Sequence, residues 1–309
     1  MNTNSPIFVA SSGDMVGNRL IEILRSRGYR DLLNDRNPQP DLLDVKNLNE
    51  FFRDMCPEYV FITAGKSGGI QVNEEKPADL MLDNLKVVCS VIQASFMQRV
   101  KYLLYLSSSC VYPRIASQPM KPEMLMTGRL EPTNSAYAMA KLAGIELCKA
   151  YRSQHDVCFQ SAVSANVFGP NDDFSERTSH VVGGLIRKIH QAKIDNFPSV
   201  EIWGTGAPIR DFIYIDDMVD GCLFVMEKYR KGEPINIGTG QPTKIADLAE
   251  LIKSVVGYRG QLKFDLKKPN GMPKKVLDTS NLFNLGWRPK VGLEAGIQST
   301  YEWYRDNDM

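Results

Sequence analysis

The segment PIFVASSGDMVGNRLIEILRSRG, residues 6–28, decides the fold class of this chain. Its first five residues, PIFVA, form a short β-rich run, and residues 16–28 follow with the longer amphipathic pattern of a helix. A weak strand signal follows at 31–35, DLLND. A strand, a helix and a second strand in this order are typical of a βαβ unit.

The same alternation continues through the first half of the chain. We predict strands at 58–64, 101–109 and 158–165, and helices within 78–98 and 135–154. The strands are apolar almost throughout, as expected when helices cover both faces of a parallel sheet. The sequence therefore predicts an α/β fold, with a Rossmann-type doubly wound parallel sheet.

Beyond residue 168 the pattern changes to mixed short elements. We predict helices near 181–192, 218–228, 244–256 and 292–304, and strands at 200–204 and 211–215. A chain of 309 residues exceeds the usual single core of ~100 to 200 residues. We therefore expect an NAD(P)-binding Rossmann domain over 1–168 and a smaller C-terminal α/β substrate lobe over 169–309, with elements near 205–240 returning to the main sheet.

Composition excludes several classes of protein. Hydrophobic residues make up 43% and charged residues 24% of the chain, which is typical of a globular protein rather than a disordered one. A formal net charge of +1 argues against a nucleic-acid binder, because non-specific affinity for nucleic acid needs clustered Lys and Arg. The N-terminus lacks a signal-peptide pattern, and no stretch approaches ~18 uninterrupted apolar residues. We expect a cytoplasmic protein that binds no membrane.

The cysteines point to reduced thiols rather than to disulfides or a metal site. They are scattered, without a CxxC pair or zinc-like spacing. They are Cys56, Cys89, Cys110, Cys148, Cys158 and Cys222.

Tyr137 and Lys141 are a candidate acid–base pair. They stand four residues apart on the predicted helix, so both side chains lie on one face about one turn apart. An ammonium there stabilises a tyrosinate and lowers the phenol pKa from its usual ~10. Alone, a YxxxK spacing is common by chance, and a packed ring beside a surface charge is then the better explanation. However, the predicted strand before it ends in SSSC (107–110), at the sheet edge where ligands bind, and a serine there can hold a substrate carbonyl.

The loop after the first strand departs from a dinucleotide-binding motif. Its three glycine positions fall at Ser11, Asp14 and Gly17, and Gly13 comes one place early. Gly17 still allows close packing of helix on strand, but Ser11 needs a negative φ and Asp14 brings a carboxylate near a pyrophosphate. Three outcomes are open: a shifted loop in which Gly13 makes the close approach, a carboxylate turned to solvent, or a damaged cofactor site. We favour the first two together.

The end of the second predicted strand bears on cofactor choice. Arg36 could pair with a 2′-phosphate, which favours NADP, whereas Asp35 could accept from a free 2′-hydroxyl, which favours NAD. Two solvated loop charges are the other interpretation. We lean to NADPH and leave NAD possible.

Seven motifs together resemble the GDP-L-fucose synthase family of the extended short-chain dehydrogenase/reductase superfamily, over nearly the whole chain. They are AGKSGGI (64–70), LSSSCVYP (106–113), LEPTNSAYAMAKLAGIELC (130–148), NVFGPNDDF (166–174), SHVVGGLIRKIHQA (179–192), WGTGAPIRDFIYIDDM (203–218) and NIGTG (236–240). The resemblance implies inversion of C3 and C5 of a GDP-4-keto-6-deoxy sugar, followed by reduction of C4 by NADPH.

The resemblance also implies the roles of individual residues. Ser108 would hold the ketone, Tyr137 would donate a proton, and Lys141 would tune Tyr137 and hold the nicotinamide ribose. Cys110 and His180 would be the epimerisation pair. The cofactor set would be Ser11, Ser12, Gly13, Asp14, Met15, Val16, Gly17, Arg36, Ala64, Gly65, Ser107, Lys141, Ser164, Asn166, Val167 and His180, and the GDP-sugar set would be Lys188, Trp203, Arg210, Asn270 and Lys275.

Several positions depart from the family pattern. Lys188 stands where the family often has Arg, and Asn270 where it often has a carboxylate. Ser164 and Ala165 replace a usual proline and threonine, and the glycine loop is altered. A related GDP-keto sugar, of colitose or heptose type, and a non-catalytic nucleotide-sugar binding protein are therefore open alternatives.

The superfamily resemblance further implies a homodimer. It would form through the helix that carries Tyr137 and the helix at 78–98, burying Leu80, Leu82 and Val88.

Overall fold

The computed structural model describes residues 1–36 and 39–307. In the described part of the chain the strands are β1 (Ile7–Ala10), β2 (Tyr59–Ile62), β3 (Tyr102–Ser108), β4 (Cys158–Ser164), β5 (Asn166–Phe168), β6 (Ser199–Trp203), β7 (Ile209–Arg210), β8 (Phe212–Tyr214), β9 (Ile235–Ile237), β10 (Thr243–Lys244), β11 (Gln261–Asp265) and β12 (Lys274–Lys275). The α-helices described there are α1 (Met15–Ser26), α2 (Val45–Met55), α3 (Ile70–Glu75), α4 (Pro77–Met97), α5 (Ser135–His155), α6 (Val181–Ile194), α7 (Ile215–Lys228), α8 (Ile245–Val256), α9 (Ser280–Asn284) and α10 (Leu293–Asn307).

The central sheet has the order β1-β2-β3-β4-β9, and each neighbouring pair is parallel. Helices α5 and α7 both pack on β3 and β4; α4 lies beside α5, and α1 lies beside α7. Two helical layers therefore sandwich the sheet, and the apolar strands are buried from both sides. The prediction of a Rossmann-type α/β fold is confirmed.

The predicted strand at 31–35 is reduced to a single bridge. Leu32 pairs with Ile7, and a 3₁₀ turn begins at the next residue. The side chain of Asn34 then accepts a hydrogen bond from the Val9 N–H at 2.9 Å and donates one to the Val9 carbonyl at 2.8 Å. The amide side chain therefore takes the backbone groups that a longer strand would have used.

The remaining strands form small separate sheets beside the central one. β6 pairs with β11, β5 pairs with β8, and β7 lies between β10 and β12. The segment with α7 and β9 belongs with the central sheet, because β9 pairs with β4 and α7 packs on both. The predicted strands at 200–204 and 211–215 correspond to β6 and β8, whereas β5, β7, β9 to β12 and helices α2, α3 and α9 were not predicted from the sequence.

Helix α4 is apolar and long enough to pass a length-and-composition test for a membrane span. Its best window has a mean hydropathy of 1.3, and 44% of that window is buried within the chain. The helix packs against α5, α2 and β2, and a core helix of a soluble protein passes the same test. The chain itself already buries Leu80 (4% exposed) and Val88 (2%), so of the three residues predicted for a dimer face only Leu82 (53%) stays exposed.

Candidate active site

One cleft of about 730 Å³ opens at the carboxyl ends of β1, β2, β3 and β4, where parallel α/β sheets bind ligands. All five residues predicted to be catalytic line it. So do all five predicted for the GDP-sugar. From the predicted cofactor set, the lining residues are Gly13, Asp14, Met15, Val16, Gly65, Ser107, Lys141, Ser164, Asn166, Val167 and His180.

Tyr137 and Lys141 face the cleft from the first two turns of α5. Lys141 is only 5% exposed; its Nζ lies 6.0 Å from the centre of the Tyr137 ring and donates to the Leu106 carbonyl at 3.4 Å. Burial lowers the pKa of Lys141 to about 8. Burial, with Cys110 nearby, raises the pKa of Tyr137 well above its usual value, although a hydrogen bond with Ser108 opposes this shift. The expectation that Lys141 lowers the phenol pKa is therefore wrong, and Tyr137 is protonated at neutral pH and holds a proton that it can donate.

The end of β3 presents two serines with different surroundings. Ser107 is buried, and its hydroxyl donates to the Lys141 carbonyl at 3.3 Å, while its own carbonyl accepts from the Ser164 hydroxyl at 3.1 Å. Ser108, the last residue of β3, lies in the cleft with its hydroxyl hydrogen-bonded to Tyr137. Ser107 joins β3 to α5 and β4, and Ser108 is the hydroxyl that can reach a ligand.

Cys110 and His180 lie in the same cleft on different elements. Cys110 is buried in a 3₁₀ turn directly after β3, and burial raises its thiol pKa against the opposing charge of Lys275. His180 precedes α6 and is exposed to the cleft, with Nε2 3.5 Å from the Ser67 hydroxyl. Desolvation by the cleft walls and the Lys275 ammonium lower its pKa, and Asp173 opposes them. At neutral pH the thiol is therefore protonated and the imidazole is neutral.

The loop after β1 settles the open question about Asp14. Gly13 adopts φ +80° with nothing near the position of a Cβ, in keeping with the predicted close approach at this residue. The Asp14 carboxylate is not turned to solvent, and that expectation is wrong. It caps α1 by accepting from the Gly17 N–H at 2.8 Å, and it also accepts from Ser11 Oγ at 2.7 Å and Thr63 Oγ1 at 3.1 Å.

Five residues of the predicted cofactor set lie outside the lining of the cleft. They are Ser11, Ser12, Gly17, Arg36 and Ala64. Ser11 and Gly17 pack behind Asp14: a Cβ on Gly17 would come within 2.2 Å of Ser11 Oγ. Ala64 is buried, and Ser12 is exposed. Arg36 is exposed and donates to the Asp31 carboxylate at 3.1 Å, so its pairing with a 2′-phosphate stays a prediction.

The far end of the cleft carries positive charge and an exposed indole. Trp203 is 41% exposed, with the ammonium groups of Lys188 and Lys268 at 5.2 and 4.9 Å from its ring centre. It is therefore not a core residue. Arg210 and Lys275 lie opposite each other on β7 and β12.

Burial shifts the titration of these two cations. It lowers the pKa of Arg210 to about 10, although Glu131 opposes the shift. It also lowers the pKa of Lys275 to about 8, with the Arg210 charge acting in the same direction. The two neighbouring charges therefore gain from an anionic ligand. Asn270 is already engaged, because its Oδ1 accepts from the Thr205 N–H at 2.8 Å.

Sequence reasoning missed several lining residues. Thr63 directly follows β2 and bonds Asp14; its place at a strand end was a usable signal. Glu131 and Asp172 also line the cleft; Oε2 of Glu131 forms an ion pair with Arg114 Nε at 3.3 Å, and Oδ2 of Asp172 is buried without a hydrogen bond within the described structure. Burial raises the pKa of Asp172 to about 7. Nothing in their local sequence distinguishes these carboxylates from solvated loop charges.

Among the residues that the structure describes, no group of three or more His, Cys, Asp or Glu side chains is placed to hold a metal ion.

Comparison with known proteins gives a consistent answer. Residues 12–238 match the NAD dependent epimerase/dehydratase family. The chain is 44% identical to a curated GDP-L-fucose synthase of Sinorhizobium fredii, over 97% of this chain and 96% of that protein. It is 43% identical to GDP-L-fucose synthase 1 of Arabidopsis thaliana, over 98% and 94%.

A solved structure extends the likeness to three dimensions. The GDP-mannoheptose C4 reductase of Campylobacter jejuni with NADP bound superimposes with a TM-score of 0.88 and 34% identity, covering 99% of both chains. The chain therefore belongs to the NAD dependent epimerase/dehydratase family and, within it, to the GDP-L-fucose synthase family.

Proposed function

We propose that this chain converts GDP-4-keto-6-deoxymannose to GDP-L-fucose, by epimerisation at C3 and C5 followed by NADPH-dependent reduction at C4. The observation that carries the proposal is the convergence of Tyr137, Lys141, Cys110 and His180 on one cleft whose far end carries Arg210 and other cations. The relatives named GDP-L-fucose synthase match nearly the whole chain, so they support the same activity.

The residues at the sheet end of the cleft fit NADPH. Gly13 has a positive φ, and no atom lies within 4 Å of the position that a Cβ would take. Gly65 allows the backbone to pass close to Lys141, because a Cβ at this residue would lie 2.9 Å from Lys141 Nζ. Ser164, Asn166 and Val167 line the region beyond Lys141, where a nicotinamide would lie. Bound NADPH supplies the hydride for C4. Binding of NADP by the solved relative supports the choice of cofactor.

The reducing set handles the proton that must accompany the hydride. Ser108 holds the C4 ketone by donating a hydrogen bond from its hydroxyl. Tyr137 then donates its phenolic proton to the oxygen of C4, which becomes a hydroxyl. The Lys141 ammonium stabilises the tyrosinate left behind, because it is buried, with Nζ 6.0 Å from the centre of the Tyr137 ring, and is attracted to the new negative charge.

Epimerisation uses the ketone before it is reduced. A C4 ketone acidifies the protons on C3 and C5, and inversion removes a proton from one face of the ring and returns one to the other. A neutral His180 accepts a proton, and a protonated Cys110 delivers one. The pKa directions of the two side chains therefore suit opposite roles on the two faces.

The cationic end of the cleft suits a nucleoside diphosphate. Arg210 presents a forked guanidinium to phosphate oxygens, and Lys275 adds a point charge beside it. Lys188 lies over the Trp203 ring, so the indole face and the ammonium form one surface for the nucleotide. Residues up to 168 thus hold mainly the cofactor, and residues after 168 hold mainly the GDP-sugar.

The direct test is to incubate the purified protein with GDP-4-keto-6-deoxymannose and NADPH. We expect loss of NADPH absorbance and formation of GDP-L-fucose, with solvent deuterium at C3 and C5. Folded protein that consumes no NADPH and incorporates no deuterium would overturn the proposal. Omitting NADPH separates the two steps, because the exchange at C3 and C5 should continue without it.

A second candidate is reduction of a GDP-keto-heptose, which the likeness to the Campylobacter jejuni reductase favours. A panel of GDP-4-keto sugars under one assay separates the two. A higher kcat/KM for the heptose would replace the fucose assignment and leave the reducing set unchanged.

We also propose a cytoplasmic homodimer joined through α4 and α5. The exposed apolar side chains Leu82, Met97 and Met139 on these helices support it. Sedimentation of the wild type should give twice the monomer mass, and Leu82→Glu should shift the measured mass toward that of the monomer. A monomeric wild type contradicts the proposal.

The cytoplasmic location has a separate test. After cell fractionation the protein should appear in the cytoplasmic fraction, and its recovery in another fraction contradicts the proposed location.

A further inference from the structure

The Asp14 carboxylate is fixed in place at the N-terminus of α1. One oxygen accepts from the Gly17 N–H, and the other accepts from Ser11 and Thr63. Rotating it outward would leave these donors unpaired beside the closely packed Gly17. Three donors, one each from the loop after β1, the first turn of α1 and the residue after β2, therefore hold a negative charge at this point of the cleft.

At the N-terminus of the first helix, a dinucleotide-binding fold ordinarily presents positive charge to the ligand. The N-terminus of the first helix carries a positive dipole end and free N–H groups, which ordinarily receive the pyrophosphate. In this chain the carboxylate uses the Gly17 N–H and neutralises the dipole end. The N–H groups of Met15 and Val16 are the remaining donors of the first turn.

The charge also reaches the catalytic end of the cleft. Asp14 and the reducing pair line the same cavity. Burial lowers the pKa of Lys141, and the Asp14 charge opposes this shift; burial raises the pKa of Tyr137, and the Asp14 charge adds to this shift. A group that acts on Lys141 across the cleft also acts on anionic ligand atoms between the two residues.

We propose that Asp14 is an affinity-determining residue: a resident anion at the pyrophosphate position that weakens the binding of NADPH to this chain. The inference rests on the proposed function, because it presumes that the cleft takes a dinucleotide. It predicts a cofactor that exchanges readily, since the repulsion raises the free energy of the complex without blocking the space beside Gly13.

The test is calorimetric titration of NADPH into the substrate-free protein and into Asp14→Asn. Asparagine is an equally good helix cap and can keep all three hydrogen bonds, with its amide donating to Ser11 and Thr63, so only the charge is removed. We expect the Kd of NADPH to fall about tenfold, as for a phosphate and a carboxylate at close range near a protein surface.

Asp44→Asn is the matched control. Asp44 caps α2 in the same way, accepting from the Lys46 and Asn47 N–H groups at 2.9 and 3.1 Å, and it does not line the cleft. Its Kd for NADPH should equal that of the wild type. Asp14→Ser is a second uncharged cap, to be used if Asp14→Asn does not fold.

The outcomes separate the two ideas. Wild-type binding that neither uncharged variant tightens overturns the role of Asp14 and leaves the proposed function standing. If neither the wild type nor the uncharged variants bind NADPH, the proposed function itself is contradicted. Equal tightening in Asp44→Asn would show a general effect of net charge and would also overturn the inference.

Discussion

The Lys141 ammonium lies 6.0 Å from the centre of the Tyr137 ring, one turn away on α5, and it is held there by the Leu106 carbonyl. Among the residues that the structure describes, this carbonyl is the acceptor that the ammonium bonds, so protein acceptors compensate little of its charge. Burial therefore lowers the pKa of Lys141 to about 8, close enough to neutrality for its charge to respond to pH.

The rate of C4 reduction should fall as pH rises above about 8. The pKa of Lys141 is lowered, so the ammonium that stabilises the tyrosinate is present below this value and lost above it. A pH profile of kcat/KM for NADPH oxidation should decline about tenfold per unit on the alkaline side.

Lys141→Arg is the control for this profile. A guanidinium keeps its charge at all accessible pH values, so the variant should lose the alkaline decline even if its maximal rate is lower. A decline that persists unchanged in Lys141→Arg would assign it to another group. Lys275, whose pKa is also lowered to about 8, is the next candidate, to be tested with Lys275→Arg.

Tyr137→Phe should abolish reduction and spare epimerisation. Loss of the phenolic proton donor removes general acid catalysis, which contributes about 10²- to 10⁴-fold in rate. Deuterium exchange at C3 and C5 should continue, because Cys110 and His180 remain. Tyr151→Phe, on the same helix and outside the cleft lining, is the matched control. A parallel loss of both activities in Tyr137→Phe would mean that the reducing and epimerising sets are not separate.

Cys110→Ser and His180→Asn should lose epimerisation while still binding NADPH. Each variant removes one member of the proton-transfer pair, so we expect deuterium exchange at C3 and C5 to fall by about 10²-fold or more while the Kd of NADPH changes little. Cys89→Ser is the control, because Cys89 is exposed on α4 and does not line the cleft. Wild-type exchange rates in either active-site variant would remove that residue from the mechanism.

The fold and the placement of Tyr137 and Lys141 on one face of α5 could be predicted from the sequence, because both depend on local patterns. Apolar runs predict buried strands, and a four-residue spacing puts Tyr137 and Lys141 on one face whatever the rest of the chain does. Prediction failed where a side chain replaced a backbone partner. Asn34 bonds both backbone groups of Val9, and no propensity indicates that a strand will end there.

Long-range partners explain the other differences. The orientation of Asp14 depends on Thr63, which lies 49 residues later in the chain. Lys275, at the end of β12, is the charge that acts on both Cys110 and His180 and lowers the pKa of each. The family resemblance supplied Lys275 as a position in the site, but only the packing of β12 beside β7 shows which groups it affects.

Trp203→Ala should weaken binding of the GDP-sugar more than it slows catalysis. The exposed ring packs under Lys188 and Lys268 among the residues predicted for the GDP-sugar, so its loss should raise KM about tenfold with a small change in kcat. Steady-state kinetics at saturating NADPH measures both constants. Trp303→Ala, on α10, outside the cleft lining and packed against Phe174, is the comparison. A fall in kcat at unchanged KM would place the ring near the reacting carbons instead.

Gly144→Ala should destabilise the fold at the point that supports Lys141. A methyl group there would come within 2.5 Å of the Tyr105 ring, whose hydroxyl donates to the Lys141 carbonyl at 3.3 Å. Overpacking of this kind costs about 1–3 kcal/mol, more than the gain in helix propensity of about 1 kcal/mol for alanine over glycine. The shift in the midpoint of denaturant unfolding between the variant and the wild type, at an unchanged m value, measures the change in the free energy of unfolding. Gly292→Ala, where no atom lies within 4 Å of the added carbon, should leave stability nearly unchanged. If Gly144→Ala is as stable as the wild type but reduces the ketone more slowly, then Tyr105 has moved and carried Lys141 with it; if neither property changes, Tyr105 does not position the lysine.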